Sequence, residues 1–189
     1  MQKHKTILSM VQIAMFAAVL AVLSQISIPL PSGVPITLQT FAVALTAYAL
    51  GWKRGMLSVG IYLALGAVGI PVFAGFTGGV AKFVSVTGGY LWGFLPMALL
   101  CGLAIGIWQQ QWRGRIGAIF FSIAGLCACH IPGVLQFALV SGSTPLHAFL
   151  LASAPYLVKD VISLILAFAL AIAIRRALQR QQGVARETE

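Results

Sequence analysis

The chain has 189 residues, of which 60% are hydrophobic and only 8% charged, with a formal net charge of +9. A soluble domain carries about 25% charged residues, so this composition excludes a water-soluble fold and fits one compact helical membrane domain. Nucleic acid is not the implied partner, because the basic residues flank apolar segments and no aromatic-rich basic groove accompanies them.

Six apolar segments follow in chain order. The first, Ile7 to Ile28, comes after Lys3 and Lys5 and is long enough to cross a bilayer. No small-x-small site leads into a hydrophilic mature domain, so the segment reads as a retained helix rather than a signal peptide. It carries Ala14, Ala17, Ala18 and Ala21. The four-residue spacing of Ala14 and Ala18 makes one flat face, suited to packing inside the bundle or to docking a separate membrane partner.

The second segment, from about Leu38 to Leu50, and the third, Gly55 to Ile70, are short. At about 1.5 Å per residue they reach about 20–24 Å, against a hydrocarbon core of about 30 Å. Their shared end, Gly51-Trp52-Lys53-Arg54-Gly55, is charged and belongs at the cytoplasmic surface, so the deficit falls on the outer side. There the connections are rich in Pro, Gly, Ser and Thr: Pro29 to Thr37, and Pro71 to Gly89. Irregular backbone at membrane depth is tolerated only where protein buries it or it lines a cavity. The expectation is an outward-facing pocket roofed by these two loops. Within the second loop Thr77-Gly78-Gly79 recurs as Thr87-Gly88-Gly89. Paired glycines permit positive φ and close backbone approach to a ligand; the alternative is a flexible loop.

The fourth segment covers Tyr90 to Trp108, the fifth Ile116 to Val140 and the sixth Ala148 to Ile174. Gly89 with Gly93, and Gly102 with Gly106, are expected to serve internal packing. In the fifth, Cys127 and Cys129 fall on different helix faces and no second ligand cluster completes a zinc site, so they read as packing residues. His130 and Gln136 are expected to bond other helices. The sixth holds Lys159 and Asp160, and Asp160 is the only acid outside the terminal Glu187 and Glu189. Burying a charge there costs about 2.5–3.5 kcal/mol on the insertion scale. An intramembrane ionisable residue is by default a functional-site hypothesis. Successive helical residues point about 100° apart, so the two are not expected to pair side by side.

An even number of spans places both termini on one side. With the termini in the cytoplasm, the inner parts collect Lys3, Lys5, Lys53, Arg54, Arg113, Arg115, Arg175, Arg176, Arg180 and Arg186, ten of the twelve basic residues. Only Lys82 and Lys159 remain on the outer side. The fold class is therefore all-α: a bundle of six transmembrane helices over residues 1–176, both termini cytoplasmic, with a polar tail over 177–189. The chain lacks a Gly-x-x-x-x-Gly-Lys-Ser/Thr loop, so it does not cleave ATP by that route. A lone aspartate, three histidines and no acidic pair make a poor supply for an enzyme. Ser122 and His130 stand too far apart in sequence to count as a dyad. Neither a cofactor nor a metal is expected.

Several blocks carry a resemblance. They are Pro31 with Val34-Pro35-Ile36-Thr37-Leu38-Gln39-Thr40, Leu50-Gly51-Trp52-Lys53-Arg54-Gly55, Gly66-Ala67-Val68-Gly69-Ile70-Pro71-Val72-Phe73-Ala74-Gly75, Thr87-Gly88-Gly89-Tyr90-Leu91-Trp92-Gly93-Phe94, and Pro155-Tyr156 followed by Asp160. Together they resemble the BioY family, the biotin-specific substrate-binding subunits of energy-coupling-factor vitamin importers. The resemblance implies six helices in a plasma membrane, biotin held at the outer side, and a membrane coupling subunit and ATPase subunits as partners. A passive channel or facilitator for biotin or another small vitamin is the alternative. In that family an aspartate matching Asp160 is expected to bind the ureido ring, and a lysine often follows three residues later. Here that position is Ser163 and the lysine is Lys159. The family's Ala-rich first helix faces the coupling subunit, which favours the docking reading of Ala14 and Ala18.

Biotin offers a ureido ring with two N–H donors and a carbonyl, an apolar thioether ring, and a carboxylate tail. Asp160 would accept N–H bonds, strengthened by its charge and by a poorly hydrated pocket. Lys159 would donate to the ureido carbonyl or to the tail. Phe73, Tyr90, Trp92 and Tyr156 would wall the thioether ring or else anchor at the membrane interface; Tyr90 leads because Gly88-Gly89 precedes it. Gln39 offers an amide, Thr77 a hydroxyl and Gly79 a backbone open to close approach. Lys82 either draws the carboxylate or is a solvated loop charge.

Overall fold

The structure, a computed structural model, describes residues 2–30, 33–108 and 111–187, with side chains over 6–30, 33–108 and 112–177. Pro31 lies outside the described residues, and so do the side chains of Lys3, Lys5, Arg180 and Arg186. The order is α1 (Gln2–Ser24), β1 (Ser27–Ile28), β2 (Ile36–Thr37), α2 (Gln39–Leu50), α3 (Trp52–Ala67), α4 (Ala81–Val84), α5 (Gly88–Ile107), α6 (Gln111–Ser141), α7 (Pro145–Ala152) and α8 (Ala154–Glu187). Among the described residues, four stretches are long and apolar enough to cross a membrane: Thr6–Ser24, Gly88–Ile107, Trp112–Ser141 and Ala154–Ala177. The chain is thus a mostly helical, multi-pass membrane protein.

The short second segment is the centre of the bundle. Every residue of α2 except Phe41 is buried, and the helix packs against α1, α3, α5 and α8. A helix that is apolar all round belongs in a core. Enclosed by protein, α2 has no need to match the bilayer thickness.

Helices α5 and α6 make the closest pairing, and glycine explains it. A Cβ on Gly89 would run into the backbone of Pro132 and Gly133, and one on Gly93 into the backbone of Cys129. Gly102 does the same for the turn at Gly51 and Trp52. Such small residues let backbones touch in lipid. Gly106 is a correction: it is exposed, and a Cβ there meets nothing within 4 Å.

Three features differ from expectation. The first helix ends at Ser24, not Ile28. Ile28 precedes Pro29, which pushes it into extended backbone, and Ser27 and Ile28 pair antiparallel with Thr37 and Ile36. A small β-ribbon therefore interrupts the all-helical pattern. The sixth segment is also two helices, broken at Ser153. Pro155 lacks an N–H and cannot bond back one turn, so α7 closes with Ser153 N–H on the Phe149 carbonyl. Thr144 caps the start of α7 by accepting from His147 N–H at 3.4 Å. The third difference is the paired glycines. Gly79 has φ +95° and donates to the Gly66 carbonyl at 2.7 Å. Gly88 and Gly89 instead open α5 and press on protein backbone, not on the cavity.

The connections α1–α2, α3–α5 and α6–α8 all contribute to one cavity, so they gather at one end of the bundle. The first turns of α3 and α6, which carry Lys53, Arg54, Arg113 and Arg115, lie at the other.

Candidate functional site

The cavity has a volume of about 250 Å³. Its roof is the loop from Gly33 to Thr37 and the segment from Phe73 to Thr87; its walls come from α2, α5, α6 and α8. The two loops expected to roof a pocket do so, and Lys159 and Asp160 line it with them.

Asp160 is 3% exposed. Its Oδ2 stands 3.2 Å from His130 Nε2. Its Oδ1 forms an ion pair with the Lys159 ammonium. That corrects the expectation for adjacent helical residues: the flexible four-carbon stem of lysine lets its head double back on the neighbouring carboxylate. The same ammonium donates to the Thr37 carbonyl at 2.9 Å, tying α8 to β2. With the ammonium on one oxygen and the imidazole on the other, Asp160 is paired on both sides where it lines the cavity, and a carboxylate keeps further lone pairs that can accept a ligand N–H.

The break at Ser153 turns its hydroxyl and the Ala152 carbonyl toward α5 and α6. His130 Nδ1 lies 2.8 Å from Ser153 Oγ. The Tyr90 hydroxyl donates to the Ala152 carbonyl at 2.5 Å and stands 2.9 Å from Ser153 Oγ. Tyr90 and His130 rings meet edge to face, with centroids 5.7 Å apart. Three helices thus converge on one carboxylate through a continuous polar chain.

Most of the expected site residues meet here. Gln39, Phe73, Thr77, Tyr90, Tyr156, Lys159 and Asp160 all line the cavity. Gln39 Nε2 donates to the Tyr62 hydroxyl at 2.8 Å. The Tyr156 hydroxyl donates to the Val34 carbonyl at 2.6 Å, holding the roof to α8. Thr77 Oγ1 donates to the Ala74 carbonyl at 2.9 Å. Phe73 stacks edgewise between Tyr62 and Phe83. Lys82 is half-buried and also lines the cavity.

Gly79 does not line the cavity; it shapes the turn that returns the loop to α3. Trp92 does not line it either. It is exposed on the outside of α5, with Nε1 donating to the Phe83 carbonyl at 3.3 Å. Two residues past Tyr90 is about 200° round a helix, which puts the two rings on opposite sides. Gln136 ties α6 to the roof by donating to the carbonyls of Phe83 and Ser85. Ala14 and Ala18 are exposed on α1, whereas Ala17 is buried in the bundle.

Sequence reasoning missed Phe94, Thr40 and Ser153. Phe94 was within reach: it lies four residues after Tyr90 and so on the same helix face. A larger groove of about 580 Å³ runs between α6 and α8, lined by Trp108, Ile119, Ile165 and other residues. It offers almost no polar group to orient a ligand, so it is not the candidate site.

Comparison with known proteins gives one family. The BioY family model matches residues 1–180. The biotin transporter BioY of Thermotoga maritima is 35% identical over 167 residues, spanning 88% of this chain and 95% of that one. Biotin transporter BioY2 of Lactococcus lactis is 36% identical over 170 residues, spanning 90% and 91%. The crystal structure of the S-component for biotin from an ECF-type ABC transporter matches with a TM-score of 0.78 at 26% identity, covering 95% of each chain.

Proposed function

The chain belongs to the BioY family, and from that premise we propose that it is the membrane subunit that captures biotin for uptake. It is a substrate-binding component, not an enzyme. The observation that carries the reading is the buried Asp160 carboxylate that lines the cavity beside the Lys159 ammonium. A ureido ring presents N–H donors to such a carboxylate. The Lys159 ammonium beside it faces the ureido carbonyl. Tyr90, Phe73 and Phe94 wall the apolar bicycle, with Tyr156, Gln39 and Thr77 completing the enclosure. Lys82 and Thr87 stand ready for the carboxylate tail.

The same geometry supports a membrane arrangement. Helices α1, α2, α3, α5, α6 and α8 make six passes, with α7 leading into the last. An even count puts both termini on the side of Lys53, Arg54, Arg113 and Arg115, which the positive-inside pattern assigns to the cytoplasm. The cavity then opens outward. The polar tail over 177–189 extends from α8 on the cytoplasmic side.

Energy for uptake comes from a membrane coupling subunit and ATPase subunits. The exposed face at Ala14 and Ala18 suits close helix approach by that coupling subunit. Replacing both with leucine is expected to cut biotin uptake by cells at least tenfold while the purified variant binds biotin as wild type does. Uptake that persists would move the docking face elsewhere.

A ligand screen tests the reading itself. Biotin and desthiobiotin, which share the ureido ring, are expected to bind the purified protein; thiamine and riboflavin are not. Equal binding of thiamine, or none of biotin, would refute it.

A further inference from the structure

We propose that the groove between α6 and α8 is a binding site for one anionic phospholipid, with an acyl chain in the groove and the phosphate on Arg115 and Arg175. The site is separate from the vitamin cavity and does not depend on it. Helix α6 packs on α5 and α7, and α8 on α2 and α7, but among the described residues α6 and α8 do not pack closely on each other. The gap between them is the groove of about 580 Å³. Tyr48 of α2 is part of its lining, and the Tyr48 hydroxyl donates to Ser122 Oγ at 2.7 Å. Ser122 in turn donates to the Ala118 carbonyl at 2.8 Å. These hydroxyls are already partnered, so the groove presents an apolar surface to whatever enters it. Ile119 on α6 and Ile165 on α8 line it and are exposed.

The groove ends on three rings. Phe168 meets Tyr48 edge to face with centroids 5.1 Å apart, and Trp108 with centroids 4.7 Å apart. Both arginines are fastened to this cluster. The Arg115 guanidinium lies 5.8 Å from the centroid of the Trp108 ring, within reach of its face. Arg175 donates to the Tyr48 carbonyl at 3.0 Å. Sequence spacing agrees: Arg115 precedes Ile119 by four residues and Arg175 follows Phe168 by seven, so each shares the groove-lining face of its helix. Arg115 is exposed and Arg175 half-buried. A guanidinium has more N–H groups than the one Arg175 spends on Tyr48. Among the described side chains Asp160 is the only acid, and it lines the cavity at the opposite end of the bundle. Two cations therefore stand at the mouth of an apolar slot with no protein carboxylate beside them.

Length and charge together select the occupant. The helix from Arg115 to Leu126 rises about 16 Å, half of a hydrocarbon core of about 30 Å. The groove thus runs from headgroup level to the middle of the bilayer, the depth of one leaflet. A phospholipid has that form, an apolar chain one leaflet deep beneath a phosphate. Arginine meets phosphate with paired N–H donors, and cations at the membrane surface draw anionic headgroups. A zwitterionic headgroup carries the same phosphate but cancels its charge. A second copy docked by the same face would set arginines against arginines.

The test is lipid retention by the purified protein, read by native mass spectrometry after equilibration in mixed micelles containing dioleoyl phosphatidylglycerol or dioleoyl phosphatidylcholine. Wild type is expected to hold one phosphatidylglycerol and to prefer it at least about fivefold, the effect of one cation well placed at a membrane surface. Its melting temperature should rise with phosphatidylglycerol and not with phosphatidylcholine. Arg115→Gln combined with Arg175→Gln should erase the preference and leave weak retention of both lipids. Ile165→Trp fills the groove and should abolish retention with both arginines in place. If the double variant fails to fold, Arg115→Gln alone and Ile165→Trp decide. Equal retention of the two lipids by wild type, a preference that survives loss of the arginines, or retention that survives Ile165→Trp overturns the site. So does a lipid-free dimer that Ile165→Trp dissociates, because the groove then takes a second copy of the chain.

Discussion

Asp160→Asn is expected to weaken biotin binding at least thirtyfold. The side chain keeps its size, so the cavity keeps its shape. What changes is charge and donor count. The neutral amide accepts less strongly than a carboxylate, because charge-assisted hydrogen bonds are about twice as strong as neutral ones. Its N–H₂ group also meets the donors His130 and Lys159 with a donor of its own. Truncating one partner of a buried, hydrogen-bonded charge pair costs about 2–5 kcal/mol, and about 1.4 kcal/mol is a factor of ten. Titration of purified wild type and variant measures the ratio. A monodisperse Asp160→Asn protein that binds as tightly as wild type would remove this carboxylate from the site.

Gly89→Val is expected to lower the melting temperature by several degrees and to impair binding in the protein that still folds. The added Cβ overlaps the backbone of Pro132 and Gly133, and backbone cannot rotate aside as a flexible side chain can. Overpacking a tight contact costs about 1–3 kcal/mol or more. The strain falls between α5 and α6, which carry Tyr90 and His130, so it also pulls apart the two sides of the polar chain. Gly106→Val is the matched control, since that position is exposed and open. Melting curves of both variants in detergent should separate them; equal stability would mean that the close approach at Gly89 is not needed.

The parts of this architecture that rest on hydropathy and charge were legible in the sequence. Lys53 and Arg54 pin the short α2 and α3 at one end, which forces the irregular loops and the cavity to the other. Asp160 stood out because no other acid lies in an apolar run. What hydropathy cannot carry is the rotation of one helix against another. Nothing in the composition says that His130 faces Asp160 across thirty residues, or that Trp92 turns outward while Tyr90 turns in. The break at Ser153 was hidden because the apolar run continues through it, although Pro155 held the physical cause. Lys159 misled in a different way: the angle between successive side chains was right, and the reach of the lysine stem overcame it.

The most direct measurement is a structure of the protein with biotin bound. A ureido N–H should lie within hydrogen-bond distance of the Asp160 carboxylate. Biotin found in another cavity, or held here with the carboxylate turned away, would contradict the account.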